Sequence, residues 1–281
     1  MLTNGNNIIE IEGYTLMPPK RNVNLIQTTG GTISASPLQG YDGEVVTLSN
    51  TTNTDYKFNG YNVVGSTLYD NNKFAFDKSD VNVNGNFIYW PEPVGVTINN
   101  KVWQSSNLAL DDGGEGIVHF DNVSWRNSTD PPTTYNFGTQ YYYTYEAAIR
   151  IASKVDGWHL PTHTEWNDMF LYVVSQYDRW DAYRLKSTSG WRPGNVPQSE
   201  YYGGNGTNSY GFNGKPCGNV GSPTSTSVSS VGNYSYWWCS DKYNSSKAYY
   251  TYFIYTNGEA TYSNRDIVNY HPLLSVRLVK D

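Results

Sequence analysis

One long amphipathic helix signal stands within a chain whose other segments are short and strand-like. Thr162, followed by Glu165 three residues later, forms a capping box that marks a helix N-terminus. The apolar residues that follow recur with helical spacing along one face: Trp166, Met169, Phe170, Val173, Val174 and Tyr177. A second, shorter helix is predicted from Tyr145 to Ala152, where helix-forming residues concentrate. This pattern is typical of helices that pack one face against a core.

The rest of the chain has the composition of a β-rich folded protein. Of its 281 residues, 38% are hydrophobic and only 16% are charged, and tyrosine alone occurs 26 times. Disordered chains combine few aromatics with high net charge, which this chain does not. β-branched and aromatic residues separated by Gly and Asn turns favour strands. The length predicts two compact units and a short tail.

Three regions are predicted along the chain. Residues 1–21 form a leader, which is either a flexible tail or an attachment arm. Residues 22–88 consist of short, evenly spaced strand signals, which predict a small β-sandwich or β-grasp-like module. Pro91 and Pro93 mark a linker or a first strand, and residues 89–281 form the second domain.

Charge and hydropathy exclude several classes of protein. The net charge is −6, and no Lys/Arg cluster occurs, so we expect no nucleic-acid binding. No apolar run is long enough to span a bilayer, so we expect no membrane insertion. Residues 1–19 lack both a basic n-region and an apolar h-region, so we expect no secretory signal there. Assembly into a virion is one way for such a protein to leave its cell.

The segment from Gly30 to Phe87 resembles a known surface repeat. It contains GGTISASPLQGYDGEVVTLSNT, then YKFNGYNVVG, then KFAFDKSDVNVNGNF. These blocks are similar to the bacterial surface β-repeat related to the internalin B-repeat. The resemblance implies a spacer that holds a binding domain away from a surface.

Seven separated blocks carry a second resemblance, which covers Lys101 to Asp281. They are KVWQSSNLAL, YEAAIRIAS, GWHLPTHTEWNDM, LKSTSGW, GTNSYGFNG, YWWCS and SVRLVKD. Together they resemble the Fibrobacter succinogenes major paralogous domain, which belongs with the C-type-lectin-like and formylglycine-generating-enzyme-like folds. The resemblance implies an α+β protein: a C-type-lectin-like head preceded by the small all-β repeat module. Similar domains serve as variable ligand-binding proteins, some diversified by retroelements that mutate adenines.

The C-terminal stretch uses the residue alphabet of such diversification, although a general Tyr/Asn richness explains it equally well. If residues 249–255 form a strand, Tyr250, Tyr252 and Ile254 share one face, and Tyr249, Thr251 and Phe253 share the other. A core accommodates Phe253, which leaves the Tyr250 face for a ligand. Tyr, Ser, Gly and Asn also dominate antibody paratopes. The predicted ligand-binding residues are Tyr243, Asn244, Tyr250, Tyr252, Ile254, Tyr255, Asn257, Tyr262, Asn264, Tyr270 and His271.

Other motifs in the sequence match known metal or catalytic sites only in part. Trp166-Asn167-Asp168 spells a lectin calcium motif but falls on the predicted helix, so we expect no metal site. Cys217 and Cys239 are too far apart for the formylglycine-generating motif, and we expect two buried thiols, although a disulfide stays open. The four histidines form no recognisable triad, and His159 stands where the family block often has Arg, which favours a structural role. Nothing singles out the loop carboxylates Asp111, Asp112 and Glu115 as a hydrolase pair. Trp237 and Trp238 are able to stack on sugars, but their place in the block YWWCS favours a core role for at least one of them. We expect no enzyme activity and no cofactor.

These observations predict a host-attachment protein of a phage fibre or appendage, located in the virion. Its expected partners are a bacterial surface receptor, either glycan or protein, and other virion proteins bound through the N-terminal region. A homotrimer is expected by analogy with phage fibres. The alternatives are a bacterial cell-surface adhesin, located outside the cell, and a structural virion decoration protein.

Overall fold

The computed structural model describes residues 9–11, 14–128, 132–177, 181–193, 204–267 and 271–281. The chain divides into two compact units, Met1–Pro91 and Glu92–Asp281. None of the described helices is both long enough and apolar enough to cross a membrane.

The described part of the first unit is made of strands. They are β1 (Ile9–Ile11), β2 (Tyr14–Leu16), β3 (Arg21–Ile26), β4 (Gly31–Ser36), β5 (Gln39–Gly40), β6 (Val45–Thr52), β7 (Tyr56–Val64), β8 (Lys73–Ala75) and β9 (Val81–Tyr89). Within the leader, β1 and β2 pair in antiparallel register, with Ile9 opposite Leu16.

Two sheets of the first unit share one apolar core. One sheet has the order β5-β3-β9-β7 and the other has the order β4-β6-β8. Side chains alternate along the strands, so that β9 buries Val81 and Val83 and exposes Asn82. The buried residues come from both sheets: Val23, Ile33, Val46, Leu48, Phe74, Phe76, Val81 and Val83.

The second unit contains the helices and the remaining strands. They are β10 (Gly95–Ile98), β11 (Lys101–Gln104), β12 (Ile117–Phe120), β13 (Ser124–Asn127), β14 (Thr133–Asn136), β15 (Gln140–Tyr143), α1 (Tyr145–Ala152), α2 (His163–Tyr177), α3 (Asp181–Leu185), β16 (Tyr234–Lys242), β17 (Lys247–Ile254), β18 (Thr261–Asp266) and β19 (Val279–Lys280).

The two predicted helices are confirmed. The backbone N–H of Ala147 donates to the Thr144 hydroxyl, which caps α1 at its N-terminus. The capping box before α2 is complete, because Glu165 N donates to Thr162 Oγ1 at 3.1 Å and Thr162 N donates to the Glu165 carboxylate at 2.8 Å. On α2, Trp166, Met169, Phe170 and Val173 are buried as the spacing predicts, whereas Val174 is half-buried. The side chain of Tyr177 lies outside the described residues.

The core of the second unit lies between α2 and the sheet β16-β17-β18. Among the described residues it contains the fully buried tryptophans Trp103, Trp166, Trp191 and Trp237, whereas Trp238 is buried on the other side of the sheet, against Tyr145. Both tryptophans of the Trp237-Trp238 pair are buried, in agreement with the core role predicted for at least one of them. Strand β19 joins this core, because it pairs with β11, with Val102 opposite Lys280 and Trp103 opposite Val279.

The predicted fold class is wrong. Strands make up 41% of the structure and helices only 11%, in many small sheets, so the protein is predominantly β instead of α+β with a C-type-lectin-like head. The helices account for this difference, since they have 8, 15 and 5 residues. The strands have two to nine residues and pair in two-, three- and four-stranded sheets. Gly- and Asn-rich turns connect them.

Candidate ligand-binding surface

The sheet β16-β17-β18 has one face in the core. Trp237 on β16 and Thr251 and Phe253 on β17 are fully buried. The Phe253 ring lies 4.9 Å from that of Trp237 and 6.1 Å from that of Phe170 on α2. The alternation of a strand requires the neighbours of these residues to point to the opposite face. This fixes the side on which any ligand surface of the sheet must lie.

Four tyrosines cover that opposite face, and we call them the tyrosine face: Tyr234, Tyr236, Tyr250 and Tyr252. All four are half-buried. Tyr236 pairs with Tyr252 across the two strands, and their ring centroids are 5.9 Å apart. The rings of Tyr234 and Tyr236 stack at 5.2 Å, and the rings of Tyr250 and Tyr252 lie 5.9 Å apart. Each ring therefore has its orientation limited by another.

The tyrosine face is closed at one end. Trp238 follows Tyr236 on the same side of β16 but is fully buried, because the ring of Tyr145 at the start of α1 lies over it at 5.7 Å. The Tyr145 hydroxyl donates to Ser240 O at 2.6 Å, and Trp238 Nε1 donates to Tyr143 O at 2.8 Å. The start of α1 thus closes the outer face of the sheet at Trp238.

The predicted strand phase is confirmed. Phe253 is fully buried, whereas Tyr250, Tyr252 and Ile254 are half-buried on the other side of the strand. Tyr255 packs against the same core cluster as Phe253, so it does not belong to the tyrosine face.

Two of the predicted contact residues stabilise turns. Asn257 accepts a hydrogen bond from Glu259 N at 3.0 Å. Asn244 accepts hydrogen bonds from Ser246 N and Lys247 N, both at 2.9 Å, and shapes the turn between β16 and β17.

Tyr243 belongs to a second aromatic group at the start of α2. Its ring, which is 53% exposed, meets Tyr249 edge-on at 5.5 Å. Tyr249 in turn stacks on His163 at 4.7 Å. His163 N donates to the Asp241 carboxylate, which holds the helix start beside β16. This group lies close to the tyrosine face in the sequence, but its member on β17, Tyr249, points to the opposite side of that strand.

Of the four remaining predicted contact residues, three are described only in part or not at all. Tyr262 pairs through its backbone with Thr251, and Asn264 pairs with Tyr249. Their side chains lie outside the described residues, as does the whole of Tyr270. His271 is exposed and has a positive φ of 39°.

Sequence reasoning missed Tyr234 and Tyr236. The signal was present in the segment YSYWWCS, where Tyr234 and Tyr236 alternate with Ser235 and Trp237. That period of two is the mark of a half-buried strand with tyrosines on its outer side.

The family follows from comparison with known proteins. The model of the Fibrobacter succinogenes major domain matches residues 96–280. The chain belongs to this family. Comparison with curated proteins gives no match, and comparison with solved structures gives none. The matched region contains the tyrosine face, α1, α2 and the tryptophan core.

In this Fibrobacter succinogenes major domain, the loop carboxylates noted in the sequence serve the fold. Asp112 accepts from Arg150 Nε at 2.9 Å and from Lys154 Nζ at 2.6 Å. These two cations, together with Gly114 N, hold the pKa of Asp112 well below its usual range. Asp111 accepts from Gly113 N at 2.8 Å. Asp112 is thereby tied to α1 and ionised at neutral pH, which does not suit a general acid.

Asp168, His159 and the two cysteines complete the set of candidate residues noted in the sequence of this domain. Among the described residues, no group of three His, Cys, Asp or Glu side chains is placed to hold a metal ion. Asp168 is exposed on α2. Cys217 and Cys239 are free and buried, as expected, and burial raises the pKa of Cys217 to about 12. His159 Nε2 donates to Glu165 Oε1 at 2.9 Å, which agrees with the structural role predicted for it.

Proposed function

We propose that this chain is a receptor-binding protein of a phage fibre or similar appendage, which attaches to a bacterial surface glycan or protein. The observation that carries the proposal is the tyrosine face: four half-buried rings in mutual contact, on a sheet whose other side is core. In this proposal the domain binds its ligand and catalyses no reaction.

The tyrosine face has the physical properties of a recognition surface. Tyrosine offers a large amphipathic contact area with few rotatable bonds, so little entropy is lost when a ligand orders it. The ring contacts reduce that loss further, because each ring is already oriented by its neighbour. The core side of the sheet, packed around Trp237 and Phe253, supplies a rigid support.

The first unit serves, in this proposal, as a spacer. Its segment from Gly30 to Phe87 resembles the internalin-B-type surface repeat, whose members commonly hold a binding domain away from a surface. We further propose that the N-terminal region attaches to other virion proteins and that the assembly is a homotrimer, since weak single sites gain from multivalent display.

The same resemblance favours a second candidate, a bacterial cell-surface adhesin, because that repeat is a surface-protein module. A signal peptide in the gene supports the adhesin, whereas neighbouring structural phage genes support the virion protein. A neighbouring reverse transcriptase gene supports diversification of the C-terminal stretch. A structural decoration protein is the outcome if the chain binds no cell.

The test is binding of the labelled full chain to a panel of bacterial strains. We expect saturable binding to some strains and displacement by excess unlabelled chain. Periodate treatment of the cells removes binding if the receptor is a glycan, and protease treatment removes it if the receptor is a protein. Binding to no strain above the non-displaceable background contradicts the proposal.

The oligomeric state is tested by light scattering on the full chain at micromolar concentration. A mass three times that of the 31.7 kDa chain is expected. A monomer at that concentration contradicts the trimer. Attachment through a single site is then still tested by the cell-binding assay.

A further inference from the structure

Helix α3 and the residue after it grip the turn between β17 and β18, residues 255–260. Tyr183 N donates to Gly258 O at 2.8 Å, and Ala260 N donates to the Asp181 carboxylate at 2.8 Å. Lys186 Nζ donates to Ile254 O at 2.7 Å and to Asn257 O at 2.6 Å. One short segment thus binds both ends and the middle of the turn.

Lys186 makes this grip from within the core. Its side chain is fully buried, and Nζ lies 4.6 Å from the centre of the Trp191 ring. Burying an ammonium group is costly unless hydrogen bonds and a favourable electrostatic field offset the loss of water. Among the described charged groups, Asp181 acts on Lys186, and Glu259 acts in turn on Asp181. An apolar side chain at position 186 would cost less free energy to bury. It would, however, leave the carbonyls of Ile254 and Asn257 without these hydrogen-bond donors.

We propose that Lys186 and Asp181 are positioning residues. Their burial lowers the free energy of unfolding, but their hydrogen bonds fix the β17–β18 turn and so set the position of the tyrosine face. The inference rests on the proposed function for its binding consequence only. Ile254 ends β17 two residues after Tyr252, and Ala260 immediately precedes Thr261, the partner of Tyr252 on β18. The grip therefore holds both strands at the end of the face where Tyr252 lies.

The charge of Lys186 gives the turn a characteristic pH dependence. Burial lowers the pKa of Lys186 to about 7, and opening the turn to water returns it towards the ordinary value of 10.5. Because the opened turn binds the proton more tightly, protons favour opening. The protection of the turn therefore rises as the pH increases from about 7 towards the ordinary pKa.

The test compares the full chain with its Lys186→Met variant by amide hydrogen exchange, resolved for residues 255–260. Lys280→Met is the matched control, because Lys280 also lies over a tryptophan ring, that of Trp158 at 4.9 Å, but is only half-buried. In Lys186→Met we expect protection factors of the turn about tenfold lower or more, since the carbonyls of Ile254 and Asn257 lose their buried hydrogen-bond donor. The midpoint of thermal unfolding is expected to stay within about 2 °C of the wild type or to rise.

The pH profile separates positioning from a merely structural role. Between pH 7 and 9, after correction for intrinsic exchange, turn protection should rise in the wild type and in Lys280→Met but stay flat in Lys186→Met. Attachment to a bound strain should fall about tenfold in Lys186→Met only.

Unchanged turn protection in Lys186→Met, or a wild-type profile without the rise, overturns the inference. If Lys186→Met does not fold, Lys186→Leu, which is also apolar and cannot donate to Ile254 O or Asn257 O, takes its place with the same expected results. If the wild-type chain binds no strain, the proposed function fails, while the exchange results still decide whether Lys186 holds the turn.

Discussion

The two faces of the sheet β16-β17-β18 are built from aromatic residues of similar size but differ in what surrounds them. On the inner face, Trp237 and Phe253 have no exposed surface and contact α2 and Phe212. On the outer face, Tyr236 and Tyr252 contact each other and remain half-buried. A hydroxyl on each outer ring suits a surface that meets water or a ligand, and its absence from the inner rings suits a dry core.

The difference teaches that one strand can serve stability and recognition at once. Alternation places Thr251 and Phe253 in the core and Tyr250 and Tyr252 outside, so substitutions one residue apart should have different consequences. Inner substitutions should cost stability, and outer substitutions should cost binding. The comparison also predicts that the covered end of the outer face, at Trp238, behaves as core.

The largest expected effect is the loss of the Phe253 ring. Phe253→Ala should lower the free energy of unfolding by about 3–5 kcal/mol, because it leaves a cavity among Trp237, Phe170 and Phe212. Tyr252→Ala is the matched control and should cost about 1–2 kcal/mol, since only ring contacts at the surface are lost. Urea unfolding measures both. Equal losses of unfolding free energy in the two variants would contradict a difference in packing between the inner and outer faces.

A smaller effect is expected at the loop that ties down the covered end. Asp112→Asn should lower the free energy of unfolding by about 1–3 kcal/mol at pH 7, because Arg150 and Lys154 lose their carboxylate. Since folding lowers the pKa of Asp112, its contribution is present above the ordinary carboxyl pKa and is lost as the pH falls through the lowered one. The difference between wild type and variant should stay constant from pH 7 to about 4 and shrink below that. Urea unfolding across this range measures it, and a difference that grows with acidity speaks against the ion pairs.

The smallest effect is expected for Thr251, a fully buried polar side chain on the inner face of β17. Thr251 Oγ1 donates to Thr261 O at 3.0 Å in a fully buried place. Thr251→Val keeps the shape and removes the donor, which should cost about 1 kcal/mol. Ser263→Ala, at the half-buried partner position of Tyr250, should change stability by less than about 0.5 kcal/mol. Denaturant unfolding distinguishes them, and a costless Thr251→Val would mean that the hydrogen bond does not stabilise the inner face.

The sequence predicts the local features of this comparison because they depend on near neighbours. The Thr162–Glu165 capping box and the apolar spacing on α2 involve residues a few positions apart. The phase of β17 follows from alternation and the burial of one residue, Phe253. The ring contacts of Tyr234 and Tyr236 could have been predicted by the same alternation.

Features that depend on distant contacts could not be predicted in this way. The fold class was wrong because pairings such as Val102 with Lys280 leave no local periodic signal. The buried cations were missed for the same reason. Arg277 donates to Gln104 O and Phe212 O, both at 2.7 Å, and Lys186 donates to carbonyls 68 and 71 residues away. A lone Lys or Arg in a sequence indicates an exposed side chain until its distant partners are known.

The double variant Tyr250→Ala/Tyr252→Ala in the full chain tests the central claim most directly. The matched control is Tyr69→Ala/Tyr89→Ala, which removes two tyrosines of the first unit that are 41% and 55% exposed. Attachment to a bound strain and the near-ultraviolet circular dichroism of the core tryptophans are measured on the same samples. We predict that the double variant keeps the tryptophan signal and loses at least about thirtyfold in affinity, since truncated tyrosine hot spots cost about 2 kcal/mol or more, while the control binds like the wild type. A folded double variant that attaches with wild-type affinity would contradict the assignment of the tyrosine face as the recognition surface.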